Sequence, residues 1–201
     1  MAAAKLIISL AILSLLYVFS QHKAVATAAG GQVIGNSFIR TSCGTTTYPN
    51  LCITSLSAYA STIQKSPRQL VTTALSVSID QAKYSKQHIQ KLIKFHGLKR
   101  GEYAALKDCL EVITEGVDRL AKSAQELKNM GPAGGPQYFW HMSNLQTWVS
   151  AALTDETTCL DGFSGKAMDG RIKTSIKARM TNVAQVTSNA LALCTQFAGK
   201  Y

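Results

Sequence analysis

Glu111, Glu115 and Asp118 fall at i, i+4 and i+7, a spacing that lines three carboxylates along one face of a helix. Carboxylates do general acid–base work when two of them face each other across a cleft, and one stripe on one helix does not offer that arrangement. Like charges at this spacing repel, so the stripe stabilises nothing in the free chain. It is either a solvated face or a surface that meets a partner. The sequence has no Gly-x-Ser-x-Gly elbow, no His-Glu-x-x-His and no phosphate-binding glycine loop. His88, His96 and His141 stand far from any candidate nucleophile, and each reads as a surface or helix-end residue rather than a base. No catalytic residue, cofactor or metal site is expected, and the chain reads as a binding protein, not an enzyme.

Cysteine is the other residue type here that can do chemistry, and there are five. None has Cys-x-x-Cys or Cys/His spacing for a metal, so disulfides are the expected use. Counting alone chooses no pairing, because one thiol is left over. Cys43 and Cys52 flank Gly44, Pro49 and Asn50, turn residues between two short apolar segments, which reads as a small stapled hairpin. Cys194 lies in the apolar periodicity of the last helix, where a free thiol behaves as a small hydrophobe. Cys109 and Cys159 are left to pair, and this asks two helices to pack as neighbours.

The elements that must position these residues are helical. Ser66 followed by Pro67 is a helix start, and the apolar pattern then runs to Phe95 and stops at Gly97. A second helix is predicted from about Glu102 to Leu127, with Leu106, Leu110, Ile113, Val117, Leu120, Ala124 and Leu127 alternating four and three apart. Met130-Gly-Pro-Ala-Gly-Gly-Pro136 ends it in a loop. A third helix is predicted from Gln137 to Thr154, followed by a small polar cluster around Cys159, and a fourth from Lys166 to Phe197. The fourth repeats through Ile172, Ile176, Arg179, Val183, Val186, Ala190 and Leu193, with Arg179 its one polar exception. Thr45-Thr-Thr47 reads as turn. The predicted fold is all-α: an antiparallel four-helix bundle preceded by a short disulfide-linked α-hairpin.

Ahead of the bundle, Met1 to Lys5 is basic, Leu6 to Phe19 is apolar or small, and Ala24-Val-Ala26 is a small-residue cleavage site, the pattern of a signal peptide over 1–26. Ala28 is a second cleavage point. Residues 27–37 are expected to be a flexible segment and 38–201 the folded domain. The chain is then expected to be secreted and monomeric, with no membrane anchor. Losing Lys5 and Lys23 takes the formal charge from +10 to +8. No zinc spacing, aromatic strand signature or long basic block points to nucleic acid. Lys83, Lys86, Lys91, Lys94, Lys99, Arg100, Lys173, Lys177 and Arg179 read as an ordinary solvated face, with weak attraction to anionic wall polymers as the sharper alternative.

Phe38-Ile-Arg-Thr-Ser-Cys43, Tyr48-Pro-Asn-Leu-Cys52, Ser150-Ala-Ala-Leu-Thr-Asp-Glu-Thr-Thr-Cys159-Leu-Asp-Gly-Phe163 and Thr187-Ser-Asn-Ala-Leu-Ala-Leu193 together resemble the plant invertase and pectin methylesterase inhibitor family. The resemblance implies the same hairpin-plus-bundle fold, a second disulfide between the second and third bundle helices, and an unpaired cysteine in the last. Invertase inhibitors of the family typically carry Pro-Lys-Phe shortly before the third cysteine. Leu98-Lys-Arg-Gly-Glu-Tyr-Ala-Ala-Leu-Lys-Asp-Cys109 has no such motif. The resemblance therefore favours an apoplastic inhibitor that binds pectin methylesterase one-to-one and covers its substrate cleft. An invertase inhibitor and a non-inhibitory pectin-binding wall protein are the alternatives. Carried over by position, the contact residues fall on Glu111, Glu115, Asp118, Gln146, Thr158 and Asp161, with Glu115 standing for an aspartate and Gln146 for an asparagine.

Overall fold

In the computed structural model, residues 31–199 are described, so the expected signal peptide lies outside the described residues. The chain runs through α1 (helical over 31–43), α2 (Pro49–Leu56), a 3-10 turn (Ser57–Tyr59), α3 (Ala60–Ile63), α4 (Pro67–Ile93), α5 (Arg100–Asn129), α6 (Pro136–Asp161), a second 3-10 turn (Lys166–Met168) and α7 (Arg171–Ala198). Helices α4 to α7 form the expected antiparallel bundle, each packed on two neighbours, with α5 against α6 the most extensive contact. Leu75, Leu106, Ile113, Leu120, Leu145, Val149, Met180 and Val183 fill its core, all fully buried. Helices α1 and α2, joined by the Cys43–Cys52 disulfide, form the hairpin that precedes it.

Local chemistry explains where these helices begin and end. The Ser66 hydroxyl accepts the Gln69 N–H at 3.2 Å, and Pro67 follows at the first helical position. Glu102, in the first turn of α5, accepts the Lys99 N–H at 2.9 Å, which satisfies a free helix-start donor and puts a carboxylate at the positive end of the dipole. At the other end of α5, the Arg68 guanidinium donates to the carbonyls of Leu127 at 2.6 Å and Met130 at 3.0 Å. It thereby ties the start of α4 to the end of α5. Gly97 at φ +91° and Gly134 at φ +78° occupy left-handed turns that other residues rarely adopt.

Three boundaries differ by more than two residues from those expected of the sequence. The segment expected to be flexible over 27–37 is helical from 31 onward, because it has something to pack on. The Gln32 amide donates to the Ser57 carbonyl at 3.2 Å, and Gly35 sits so close to α3 that an added Cβ would lie 1.9 Å from the Ala60 oxygen. Backbone cannot yield as a side-chain tip does, so Gly35→Ala is expected to destabilise the protein by about 1–3 kcal/mol, read from its denaturation midpoint. An unchanged midpoint would show that α1 does not contribute to the fold. Helix α6 continues past Thr154 to Asp161, and α7 begins at Arg171 rather than at Lys166, behind Gly170 at φ +151°.

The hairpin is anchored to α7 by polar side chains. Asn189, nearly buried, accepts the Tyr48 N–H and donates to the Tyr48 carbonyl, both at 3.0 Å, while Gln196 donates to the Ser42 carbonyl at 3.1 Å. Cys194, close by on α7, is fully buried, and burial pushes its thiol up to about 12. An alkylating reagent is therefore expected to label Cys194 only as fast as the protein unfolds. Rapid labelling of the native protein would contradict its burial.

Candidate functional site

The acidic side of the molecule is built from α5 and α6. Together these helices carry nine Asp and Glu against five Lys and Arg; Glu102, Asp155 and Glu156 of the nine are buried, and α6 has no Lys or Arg at all. Their register is fixed by a ladder of cross-helix contacts. Cys109 is joined to Cys159, with Cα atoms 4.5 Å apart. The Arg119 guanidinium pairs with Asp155, the Lys122 ammonium lies 4.7 Å from the Trp148 ring centre, and Glu126 meets His141 at 2.6 Å.

Glu111, Glu115 and Asp118 are all exposed along the outer side of α5, as their spacing requires. Only Glu115 is connected to α6: its carboxylate accepts from Arg119 at 2.8 Å, and the other arm of Arg119 reaches Asp155. Thr158 is exposed on the α5 side of α6 and lines a groove of about 270 Å³ with Ala104, Asp108, Val112 and Met168, over the Cys109–Cys159 bridge. Asp161 is exposed at the last position of α6. Gln146 is not with them. It lies on the opposite flank of α6, where its amide donates to the Thr195 hydroxyl of α7 at 3.3 Å. The structure thus brings Glu115 and Thr158 to the α5–α6 seam and leaves Gln146 on the α6–α7 seam.

The continuation of α6 through Cys159 has a physical cause. Threonines are mediocre helix formers, yet Thr154, Thr157 and Thr158 each return a hydroxyl bond to a carbonyl four residues back, at 3.2, 3.1 and 2.8 Å. The disulfide and two inward carboxyls then hold the last turns against the bundle. Thr158 accordingly bonds within α6.

Those carboxyls, Asp155 and Glu156, went unremarked in the sequence. Asp155 is nearly buried between α5 and α6; burial raises its pKa, Arg119 opposes this, and Glu115 adds to the rise. Glu156 is fully buried toward α7, where its carboxyl accepts the Thr187 hydroxyl at 2.9 Å. Burial pushes it up to about 8; the Thr187 bond resists and neighbouring Asp155 reinforces the shift. Glu156 is therefore protonated in acidic and neutral solution. One oxygen of each carboxyl is buried without a hydrogen-bond partner. The Glu115–Arg119 pair was readable from its i, i+4 spacing, but nothing in the sequence says that Arg119 also reaches across to Asp155.

Such a face can dock a partner, but it offers no reacting pair of groups across a cleft. Among the described residues, no three His, Cys, Asp or Glu side chains cluster as a metal site, and no helix is long and apolar enough to cross a membrane. The chain matches the family described as plant invertase/pectin methylesterase inhibitor over residues 37–193. It is 52% identical over 177 residues to a protein of Daucus carota called 21 kDa protein, covering 88% of this chain and 92% of that one. It is 54% identical over 168 residues to pectinesterase inhibitor 9 of Arabidopsis thaliana, covering 82% of each. Its fold is similar to the crystal structure of a mutant form of a pectin methylesterase inhibitor from Arabidopsis, with TM-score 0.63 and 19% identity, over 76% of this chain and 92% of that one. With its disulfide-linked hairpin, four-helix bundle and near-complete match to the family, this chain belongs to the plant invertase/pectin methylesterase inhibitors.

Proposed function

We propose that this protein is a secreted inhibitor that binds a plant pectin methylesterase one-to-one and covers its substrate cleft with the α5–α6 face. The single observation that carries the reading is the 54% identity to pectinesterase inhibitor 9 over 82% of each chain. The acidic face supports it physically: of the stripe only Glu115 has an ion pair among the described residues, and the exposed like charges are accounted for by a partner. Glu111, Glu115, Asp118, Thr158 and Asp161 would form the contact. Gln146 joins it only if the esterase wraps over α6 toward α7, since that residue lies on the far flank. The basic and apolar leader over 1–26 would deliver the monomeric protein to the cell wall, and inhibition requires no cofactor and no turnover.

The test is to titrate the purified protein against a plant pectin methylesterase and, separately, against an acid invertase at mildly acidic pH. Esterase activity is expected to fall linearly to zero near one equivalent, with invertase untouched. Loss of invertase activity alone would replace this reading with the other inhibitor class of the family.

A further inference from the structure

The side of the bundle opposite the acidic face has the reverse charge. Helices α4 and α7 pack against each other and together carry eight Lys and Arg against one carboxylate, Asp80. Six of the basic residues that read as scattered along the sequence, Lys83, Lys86, Lys91, Lys173, Lys177 and Arg179, come onto this pair of helices because α4 and α7 lie side by side. Between the two helices runs a groove of about 400 Å³ lined by Gln81, Ser85, Ser175, Arg179 and Asn182. The His88 ring meets the Ser175 hydroxyl across it at 2.7 Å, and the Arg179 guanidinium lies 4.9 Å from the centre of the Tyr84 ring.

These two cross-groove contacts set the register. From His88 and Ser175, three residues along α4 and four back along α7 bring exposed Lys91 level with exposed Arg171. Arg171 and Arg179 are eight residues apart, so their α-carbons are about 12 Å apart along the groove. One end thus holds Lys91 and Arg171, Arg179 lies on Tyr84 farther along, the Ser85 and Ser175 hydroxyls lie between them, and the amides of Gln81 and Asn182 lie beyond Arg179. Burial, then the charges of Arg179 and Lys91, hold the His88 imidazole below the usual histidine range, so both cations act on the groove floor. Asp80 is on the outer side of α4, one turn from Tyr84.

We propose that the α4–α7 groove is a docking surface for a polyuronate, a carboxylate-bearing, hydroxyl-rich polysaccharide chain. The cations spaced along it match the carboxylates of an extended anionic chain. Gln81, Ser175 and Asn182 offer hydrogen bonds to sugar hydroxyls. Tyr84, 57% exposed, offers a ring face for a sugar to stack on, and it is the only large apolar side chain exposed on either helix. A membrane surface would call for more apolar side chains along these helices to enter the lipid. The choice of a pectic chain as the uronate rests on the esterase reading, whose product side is the de-esterified polymer; the basic face itself does not. The protein would then hold free-carboxylate pectin on one side while its acidic side remains open to a protein partner.

The experiment measures binding of the purified protein to polygalacturonate oligomers, to fully methyl-esterified oligomers and to phosphatidylserine vesicles, at low and moderate salt. Polygalacturonate is expected to bind, to weaken with salt, and to move the NMR-observed titration of His88 upward, as carboxylates offset Lys91 and Arg179. A triple variant Lys91→Gln, Arg171→Gln, Arg179→Gln is expected to bind it about tenfold more weakly. That variant should keep the parent's helicity and the parent's effect on pectin methylesterase. If it fails to fold, the exposed single variants K91Q and R171Q carry the test, each with a smaller loss. Equal binding of the methyl-esterified oligomers, vesicle binding lost through the same substitutions, or unchanged polygalacturonate affinity in the variants would overturn the proposal. If the parent binds polygalacturonate yet leaves the esterase active, the esterase reading falls and this one stands.

Discussion

Replacing both Cys109 and Cys159 with alanine is expected to lower stability by about 4 kcal/mol, the chain-entropy value for closing a loop of this length. The bridge spans 50 residues and joins α5 to α6, the most extensively packed pair of helices. It also underlies the Thr158 groove and helps to hold the threonine-rich end of α6 in helix. Stability and esterase binding should therefore fall together, with the end of α6 losing amide protection first. Alanine at both sites leaves no buried unpaired thiol, so the loss reports on the cross-link and on a small cavity. A thermal transition unchanged from the parent would show that helix packing alone sets the α5–α6 register.

The second large effect concerns Glu156, and it has a definite sign. Its folded-state pKa is about 8 against an unfolded value of 4.5. Below pH 4.5 both states hold the proton and the group contributes no pH dependence. Between these limits the unfolded chain releases a proton that the folded protein keeps, so stability falls as pH rises, by up to roughly 1.4 kcal/mol per pH unit. Asp155, also raised, acts in the same direction at lower pH. Glu156→Gln keeps the shape and the acceptor for Thr187 and removes the titration. Its amide would face the same unpartnered position as the neutral carboxyl, so it should match the parent near pH 4 and exceed it by a few kcal/mol at pH 8. Chemical denaturation at a series of pH values reads this out. Parallel profiles for the two proteins would show that Glu156 is not the buried acid that sets the slope. The acid-stable fold that results fits the mildly acidic wall in which the protein is proposed to work.

What the sequence conveyed was mostly periodic. Leu106, Ile113, Val117 and Leu120 lie on one face of α5 by spacing alone, and Ser66-Pro67 marks the start of α4 by local chemistry, so the bundle was legible in the order of residues. The end of α6 was not, because Thr154, Thr157 and Thr158 lower helix propensity while their back-bonds and the bundle restore the helix. The helix over 31–37 escaped notice because its anchor is a tertiary contact, Gly35 on Ala60, that no local pattern encodes. The candidate contact residues were legible as an acidic stripe on α5. Which flank of α6 holds Gln146 and which holds Thr158 depends on where α5 and α7 pack, and one sequence does not convey that. Arg179, the exception in the α7 repeat, is explained by its place on Tyr84 across the groove. The separation of charge between the α4–α7 and α5–α6 sides is likewise a product of assembly.

The central claim is that the α5–α6 face is what meets the esterase. It is tested most directly by the inhibition constant of Thr158→Arg toward a plant pectin methylesterase, measured beside the parent at mildly acidic pH. Thr158 is exposed, and its hydroxyl bonds only within its own helix, so the fold should survive the change. A long cation in the Asp108–Val112 groove should weaken inhibition by about a hundredfold, as a bulky charge at the centre of an interface does. Inhibition equal to the parent's, from a folded variant, would place the esterase on another surface and contradict the account.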